Sequence, residues 1–330
     1  MCTLPHPLRY WCASSKELTT KVLSIITSVI SQFLISQAVA LGYDHDKLHS
    51  GSATFIQRFG SSLNLNVHFH MLFIEGVYLD RSENLKPKFI PSPAPSDEQI
   101  LLVIARISKR IIKLLRKEGY LDTTTIETIR TSHDPLFNEE PEHSRSMSAS
   151  IKHMIAFGTR AGQKVRTLKI AKSFGEEGEK AKLIKQRCAA INGFSLHADR
   201  VCRAGEGEGI KARRRDKLEK LVRYTARGAF SHKRLTEDKN GDLLYELKTP
   251  WSDGTTHIKL SPMELIEKLC ALIPLPNYNL FRYSGVLAPN SKLRKHVVSN
   301  PKAGELQAAS EAGSDSTLPA TKYSSGHANR

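Results

Sequence analysis

The spacing of apolar positions changes along the chain, and each change marks an expected element. From Val22 to Tyr43 no charged side chain occurs. On paper that is long enough for a bilayer span, which needs roughly 20 apolar residues, but polar residues interrupt it. Ser24, Ser28 and Ser31 recur at helical spacing, and Gln32, Ser36 and Gln37 follow, so the segment reads as a buried or half-buried helix. Two short β-rich runs come next, residues 53–59 and 67–74, on either side of Gly60-Ser61-Ser62. They predict an antiparallel hairpin with its loop around Leu63. Pro87, Pro91, Pro93 and Pro95 make residues 81–98 a connecting loop. From Asp97 to about Glu118, Leu101, Ile104, Ile107, Ile111 and Leu114 recur every three or four residues, opposite Arg106, Lys109, Arg110, Lys113 and Lys117. This predicts an amphipathic helix with a basic stripe, either a solvated face or a phosphate-contacting one.

Further helices are expected over Met147 to Phe157 and Lys180 to Ala189, separated by breaks such as Gly175-Glu176-Glu177-Gly178. Residues 193–198 alternate like a strand, and Gly205 to Gly209 reads as a flexible loop. A basic block, Lys211, Arg213, Arg214, Arg215 and Lys217, leads into a helix with Leu218, Leu221 and Val222 on its apolar side and Tyr224 near its end. Two strands, 243–249 and 255–260, are joined through Pro250-Trp251-Ser252-Asp253-Gly254. Ser261, Pro262 and Glu264 then form a capping box that starts a helix. From about residue 299 to 330 no apolar period remains, which predicts a disordered tail.

Composition narrows the class. The 330 residues carry 49 Lys plus Arg against 33 Asp plus Glu, a net charge of +16. With 40% hydrophobic and 25% charged residues, the chain is a folded globular protein, not a disordered, collagen-like or multi-span one. The basic surplus points to a polyanion, with nucleic acid first, because Lys and Arg on phosphates release counterions. Five scattered cysteines form no C-x-x-C pair, which fits reduced thiols in a cytosol. Arg9 and Lys16 precede a segment unlike a secretory leader, so none is expected.

The sharpest chemical feature is His68-Phe69-His70 in an apolar strand. Alternation points both imidazoles to one face, where they could reach one divalent ion, while Phe69 faces the core. An H-x-H read by itself is also compatible with two structural histidines. A third ligand has two candidates. Gln57 would project beside the histidines if the hairpin pairs 57 with 68, and a one-residue slip would send it to the other face. His197, on a later strand, is the second. Such a set would suit Mg²⁺ or Mn²⁺ during catalysis. Tyr224 could act as a nucleophile only if deprotonated with help from a neighbour such as Arg223 or Arg227; otherwise it is a helix tyrosine packing its ring on the core.

Five runs then appear in an order that resembles one family. They are residues 54–70, from Thr54-Phe55-Ile56-Gln57-Arg58-Phe59 through Val67-His68-Phe69-His70; Gly193-Phe194-Ser195-Leu196-His197-Ala198; Leu221-Val222-Arg223-Tyr224; residues 247–257, with Lys248-Thr249-Pro250-Trp251-Ser252-Asp253-Gly254; and residues 282–294, with Arg282-Tyr283-Ser284-Gly285. Over approximately residues 3–298 the chain resembles rolling-circle transposases of the IS-ninety-one type, which are HUH endonucleases.

That resemblance implies an α+β fold, a ferredoxin-like palm with an antiparallel sheet and flanking helices. It divides the chain into an N-terminal helical segment (1–50), an endonuclease core with a helical insertion (51–230), a C-terminal β-hairpin and helix region (231–298) and the tail. It further implies that His68 and His70, with Gln57 or His197, hold a divalent Mg²⁺ or Mn²⁺. Tyr224 would attack single-stranded DNA at transposon ends and target, leaving a 5′-phosphotyrosine. Arg106, Lys109, Arg110, Lys113, Lys211, Arg213, Arg214, Arg215, Arg223, Arg227, Lys292 and Arg294 would form the DNA-binding surface. The setting implied is the bacterial cytoplasm, at the nucleoid, without a membrane.

Three departures stand out. Lys220 occupies the position four before Tyr224 where the best-known members have a second tyrosine, so the chain resembles the single-tyrosine branch. Such an enzyme must reuse its nucleophile or work as a homodimer. The sequence opens at Met1-Cys2-Thr3-Leu4-Pro5 inside a family motif, without the Cys-rich zinc-binding domain usual in members, so end recognition is expected to be impaired. Ser284 stands where a histidine is common. Two other functions stay open: a catalytically decayed, DNA-binding transposase remnant, and a metal-dependent small-molecule hydrolase, against which Leu72 replaces the Asp of an H-x-H-x-D motif. Tyr283, also beside an arginine, is a rival nucleophile.

Overall fold

A computed structural model describes residues 1–81, 85–121, 136, 139–167, 182–198, 208–251 and 253–298, with side chains omitted at 182 and 208–215. In chain order the elements are β1 (Cys2–Thr3), α1 (His6–Ser14), α2 (Lys16–Val39), β2 (Leu48–His49), β3 (Gly51–Phe59), β4 (Leu65–Phe73), β5 (Gly76–Leu79), β6 (Lys88–Pro91) and α3 (Asp97–Lys117). There follow α4 (Pro141–Ile151), β7 (Arg166–Thr167), β8 (Lys182–Lys185), β9 (Cys188–Ile191), β10 (Phe194–His197) and α5 (Glu208–Thr225). The last are β11 (Leu235–Glu237), β12 (Leu243–Glu246), β13 (His257–Leu260), α6 (Pro262–Leu272), β14 (Phe281–Gly285) and α7 (Arg294–Val297).

The fold is α+β. Its centre is a seven-stranded antiparallel sheet in the order β14-β3-β4-β1-β10-β9-β8, accompanied by a four-stranded sheet, β11-β12-β13-β7, and a three-stranded one, β2-β5-β6. The β3–β4 hairpin forms as its alternation predicts, turning at Leu63, which takes a positive φ of 56°. A bulge between Gln57 and Phe59 lets the strand keep Gln57 opposite His68. Arg58, at the bulge, is buried and donates to the carbonyls of Ala13, Leu272 and Ile273, which ties the hairpin to α1 and the end of α6.

One face of the large sheet is covered by helices. Ile56, Val67, Phe69, Cys2, Leu196 and Ala189 pack there against Leu8 and Trp11 of α1, Leu18, Val22 and Ile26 of α2, Ile104, Ile107 and Ile111 of α3, and Met147 of α4. Among the described residues α2 is the helix long and apolar enough to cross a bilayer, and one side of it lies in this core. α3 starts with a capping box, Ser96 with Gln99, and α6 with the expected Ser261–Glu264 box.

Several expectations change. Residues 182–191 form β8 and β9 instead of the helix expected over Lys180 to Ala189, because pairing with β10 overrides the helical preference of Lys, Ala and Leu. The helix expected to reach Phe157 ends at Ile151. Glu208 and Gly209 open α5 instead of closing a loop. The chain segments also interleave: β1 sits between β4 and β10, and β14 pairs with β3, so residues 1–50 and 231–298 each supply a strand to the central sheet. The expected tail, the break at 175–178 and residues 205–207 lie outside the described residues.

Candidate active site

The second face of the sheet carries the candidate chemistry. Because β3 and β4 pair in the register Gln57↔His68 and Phe55↔His70, these four side chains share it, with Thr3 and Ser195 continuing the His68 row across β1 and β10. His68 Nδ1 lies 2.8 Å from the carbonyl of Asn66. That acceptor places the proton on Nδ1, which leaves the Nε2 lone pair bare. His68 Nε2 faces His70 Nε2 at 3.1 Å. Burial holds both rings neutral: His68 is pushed down to about 4 and His70 to about 3, the latter also by its neighbour His68.

α5 delivers the tyrosine. Its last residue, Thr225, is buried, and the Thr225 carbonyl accepts a 2.6 Å hydrogen bond from Gln57 Nε2. This contact anchors the helix end on the histidine face and brings the Tyr224 ring edge-on to His70, with centroids 5.8 Å apart. The guanidinium of Arg227 and the ammonium of Lys248 each lie 4.7 Å from the Tyr224 ring centre. Tyr224 itself remains 43% exposed, open to a substrate. Three polar atoms at or beside this cluster are buried without a hydrogen-bond partner: Gln57 Oε1, Asn66 Oδ1 and Arg227 Nε. Leaving a buried polar atom unpaired costs about 1–3 kcal/mol, so each of the three calls for a partner.

The other sequence candidates fall into three groups. His197 shares the histidine face, but β1 stands between β4 and β10, which puts it two strands, about 10 Å, from His70. It is hydrogen-bonded to Cys188 Sγ at 3.0 Å and Ser195 Oγ at 3.2 Å. Arg106, Lys109, Arg110 and Lys113 are exposed on α3, which packs on the face of the sheet opposite the histidines. Arg223 is turned outward and paired with Glu219 at 2.6 Å. Lys292 is exposed, and Arg294 lies over the Tyr283 ring at 5.2 Å and donates to the Leu287 carbonyl. The side chains of Lys211, Arg213, Arg214 and Arg215 lie outside the described residues. Tyr283, on β14, is two strands from β4, whereas Tyr224 meets His70 directly.

Sequence reasoning missed Lys248 and Asn66. Lys248 follows β12 in a loop, where no periodicity flags it; its signal was membership in the 247–257 run. Asn66 was masked by its place two residues before the histidine pair, although alternation assigns it to the same face.

A class emerges from this arrangement: a protein with a tyrosine beside a pair of buried, facing histidines on an antiparallel sheet, in a strongly basic chain. The comparison with protein families then gives the identity. The model of the family described as "Putative transposase" matches residues 51–295, which takes in Gln57, His68, His70, Tyr224 and Lys248. The chain belongs to this transposase family, whose chemistry is cleavage and strand transfer of DNA. Neither the curated proteins nor the solved structures contain a match.

Proposed function

We propose that this transposase nicks and rejoins single-stranded DNA by tyrosine transesterification, in the manner of the HUH rolling-circle enzymes it resembles. The observation that carries the reading is the placement of Tyr224 against His70 while His70 and His68 turn their Nε2 atoms toward each other. In the step proposed, the Tyr224 oxygen bonds to the scissile phosphorus as the bond to the 3′ oxygen breaks. The proton lost by the phenol is balanced by the one taken up at the 3′ hydroxyl. The resulting 5′-phosphotyrosine keeps the phosphodiester's reactivity, so a free 3′ hydroxyl can reverse the step on a new strand without a nucleotide cofactor. Arg227 and Lys248 place two positive charges beside the ring as negative charge develops on oxygen and phosphate.

The residues present fit a divalent cation. Two neutral imidazoles offer Nε2 lone pairs, and the Gln57 carbonyl oxygen is buried without a partner on the same face while its amide is held by Thr225. Such an ion, Mg²⁺ or Mn²⁺, would polarise the phosphate.

The test is a denaturing gel of purified protein with labelled single-stranded DNA and Mn²⁺. Wild type should give a covalent adduct that EDTA prevents and that disappears in Tyr224→Phe, with DNA binding retained. Binding without an adduct in wild type would replace the enzyme by a DNA-binding remnant.

A further inference from the structure

The histidine face continues beyond the histidines toward the edge of the sheet. Phe55 stands opposite His70, Phe281 on the edge strand β14 stands opposite Phe55, and Tyr283 follows one row further, opposite Ala53. The rings touch in sequence. Phe55 and Phe281 are 4.5 Å apart, and Phe281 meets Tyr283 edge-on at 4.7 Å.

The binary pattern is inverted here. On the helix-covered side of the same strand ends sit Ser52 and Thr54, fully buried, and Ser284, whose hydroxyl meets that of Ser52 at 2.7 Å. The aromatic rings lie on the outward side, with Phe55 and Phe281 half-buried and Tyr283 exposed. A strand selected only to close a core would place them the other way round. Nor is the strip plainly apolar. The chain turns back after β14 and sets Arg294 over Tyr283, while Arg227 and Lys248 flank Tyr224 at the other end.

Resting on the reading given above, we propose that this strip is the track on which bases next to the scissile phosphate stack, with Tyr283 as its outermost platform. Rings bordered by cations match the two repeating parts of a single strand, its base faces and its phosphates. A duplex keeps its base faces stacked on one another and cannot use them. From the His70 column to Tyr283 the path crosses two strands and one row, about 12 Å, which accommodates about three nucleotides at about 3.4 Å each.

The experiment measures binding of a short single-stranded oligonucleotide by fluorescence anisotropy in EDTA, comparing wild type, Tyr283→Ala and Tyr283→Trp. Each is tested against the intact oligonucleotide, one with abasic positions and a duplex. Tyr283→Ala should bind the intact strand about tenfold more weakly, lose nothing against the abasic strand or the duplex, and recover in Tyr283→Trp. Equal losses on intact and abasic strands, or no loss at all, would overturn the track; should the alanine variant fold poorly, Tyr283→Leu, which keeps bulk without a ring, replaces it. The two readings fail separately. A wild-type adduct together with ring-independent binding removes the track alone, and ring-dependent binding without a wild-type adduct removes the cleavage reading alone.

Discussion

The two faces of the seven-stranded sheet are made by alternate residues of the same strands, yet they solve opposite problems. On the helix-covered face Val67 and Phe69 are fully buried among aliphatic side chains. On the other, their immediate neighbours Asn66, His68 and His70 gather with Gln57, and polar atoms are left buried without partners. The contrast teaches that a site of this kind is supported from behind. Register is fixed by the apolar face, and the polar face inherits its geometry without having to stabilise it.

Substitutions at adjacent positions should separate the two roles. Phe69→Ala empties a fully buried ring site and should cost about 3–5 kcal/mol in chemical denaturation. His68→Ala should cost less than half as much, and comparable losses would break the contrast. In the adduct assay the order reverses. Properly folded His68→Ala should lose at least about 100-fold in rate, because removing a proposed ligand costs no less than the roughly 10–100-fold of removing a ligand's outer partner, and a rate near wild type would remove His68 from the site.

A buried charge on the helix-covered side sharpens the comparison. Lys268 of α6 is buried, and desolvation pushes its ammonium down to about 8 from an ordinary value near 10.5. Below pH 8 the lysine is protonated both folded and unfolded, so folding must bury a charge; as pH climbs from about 8 to 10.5 the folded chain alone is neutral and the cost fades. Lys268→Met should therefore be more stable than wild type at pH 7, by on the order of 2 kcal/mol. That advantage should shrink with rising pH in paired thermal melts, and a constant difference would show that the charge is not its source.

The smallest effect concerns surface charge on the two sides. Lys248→Gln should flatten the salt dependence of single-strand binding by about one unit of slope, whereas Lys109→Gln on α3 should leave it unchanged. Equal changes would return the α3 stripe to the DNA-binding surface.

Much of this was legible in the sequence where a short-range pattern carried it. Alternation through residues 53–74 gave the hairpin, the histidine face and the conditional pairing of Gln57 with His68, which the register meets. The amphipathic period gave α3 and its exposed stripe, but periodicity says which side of a helix is wet, not which side of the sheet the helix occupies. β1 was not legible because two residues have no period at all, and β8 and β9 were not because partners distant in sequence decide their conformation. The position of His197 followed from the same gap: without β1, nothing in the chain separates it from His70.

That two-residue strand also sets an order of events. Gln57 and His68 meet through a local hairpin, while Thr3 and Ser195, in the same row of the sheet, are 192 positions apart. Closing so long a loop is entropically expensive and slow relative to forming a hairpin. Refolding should accordingly produce the paired histidines early and a continuous sheet late, with the β8–β10 half held apart from β3–β4 until Cys2 and Thr3 slot between them.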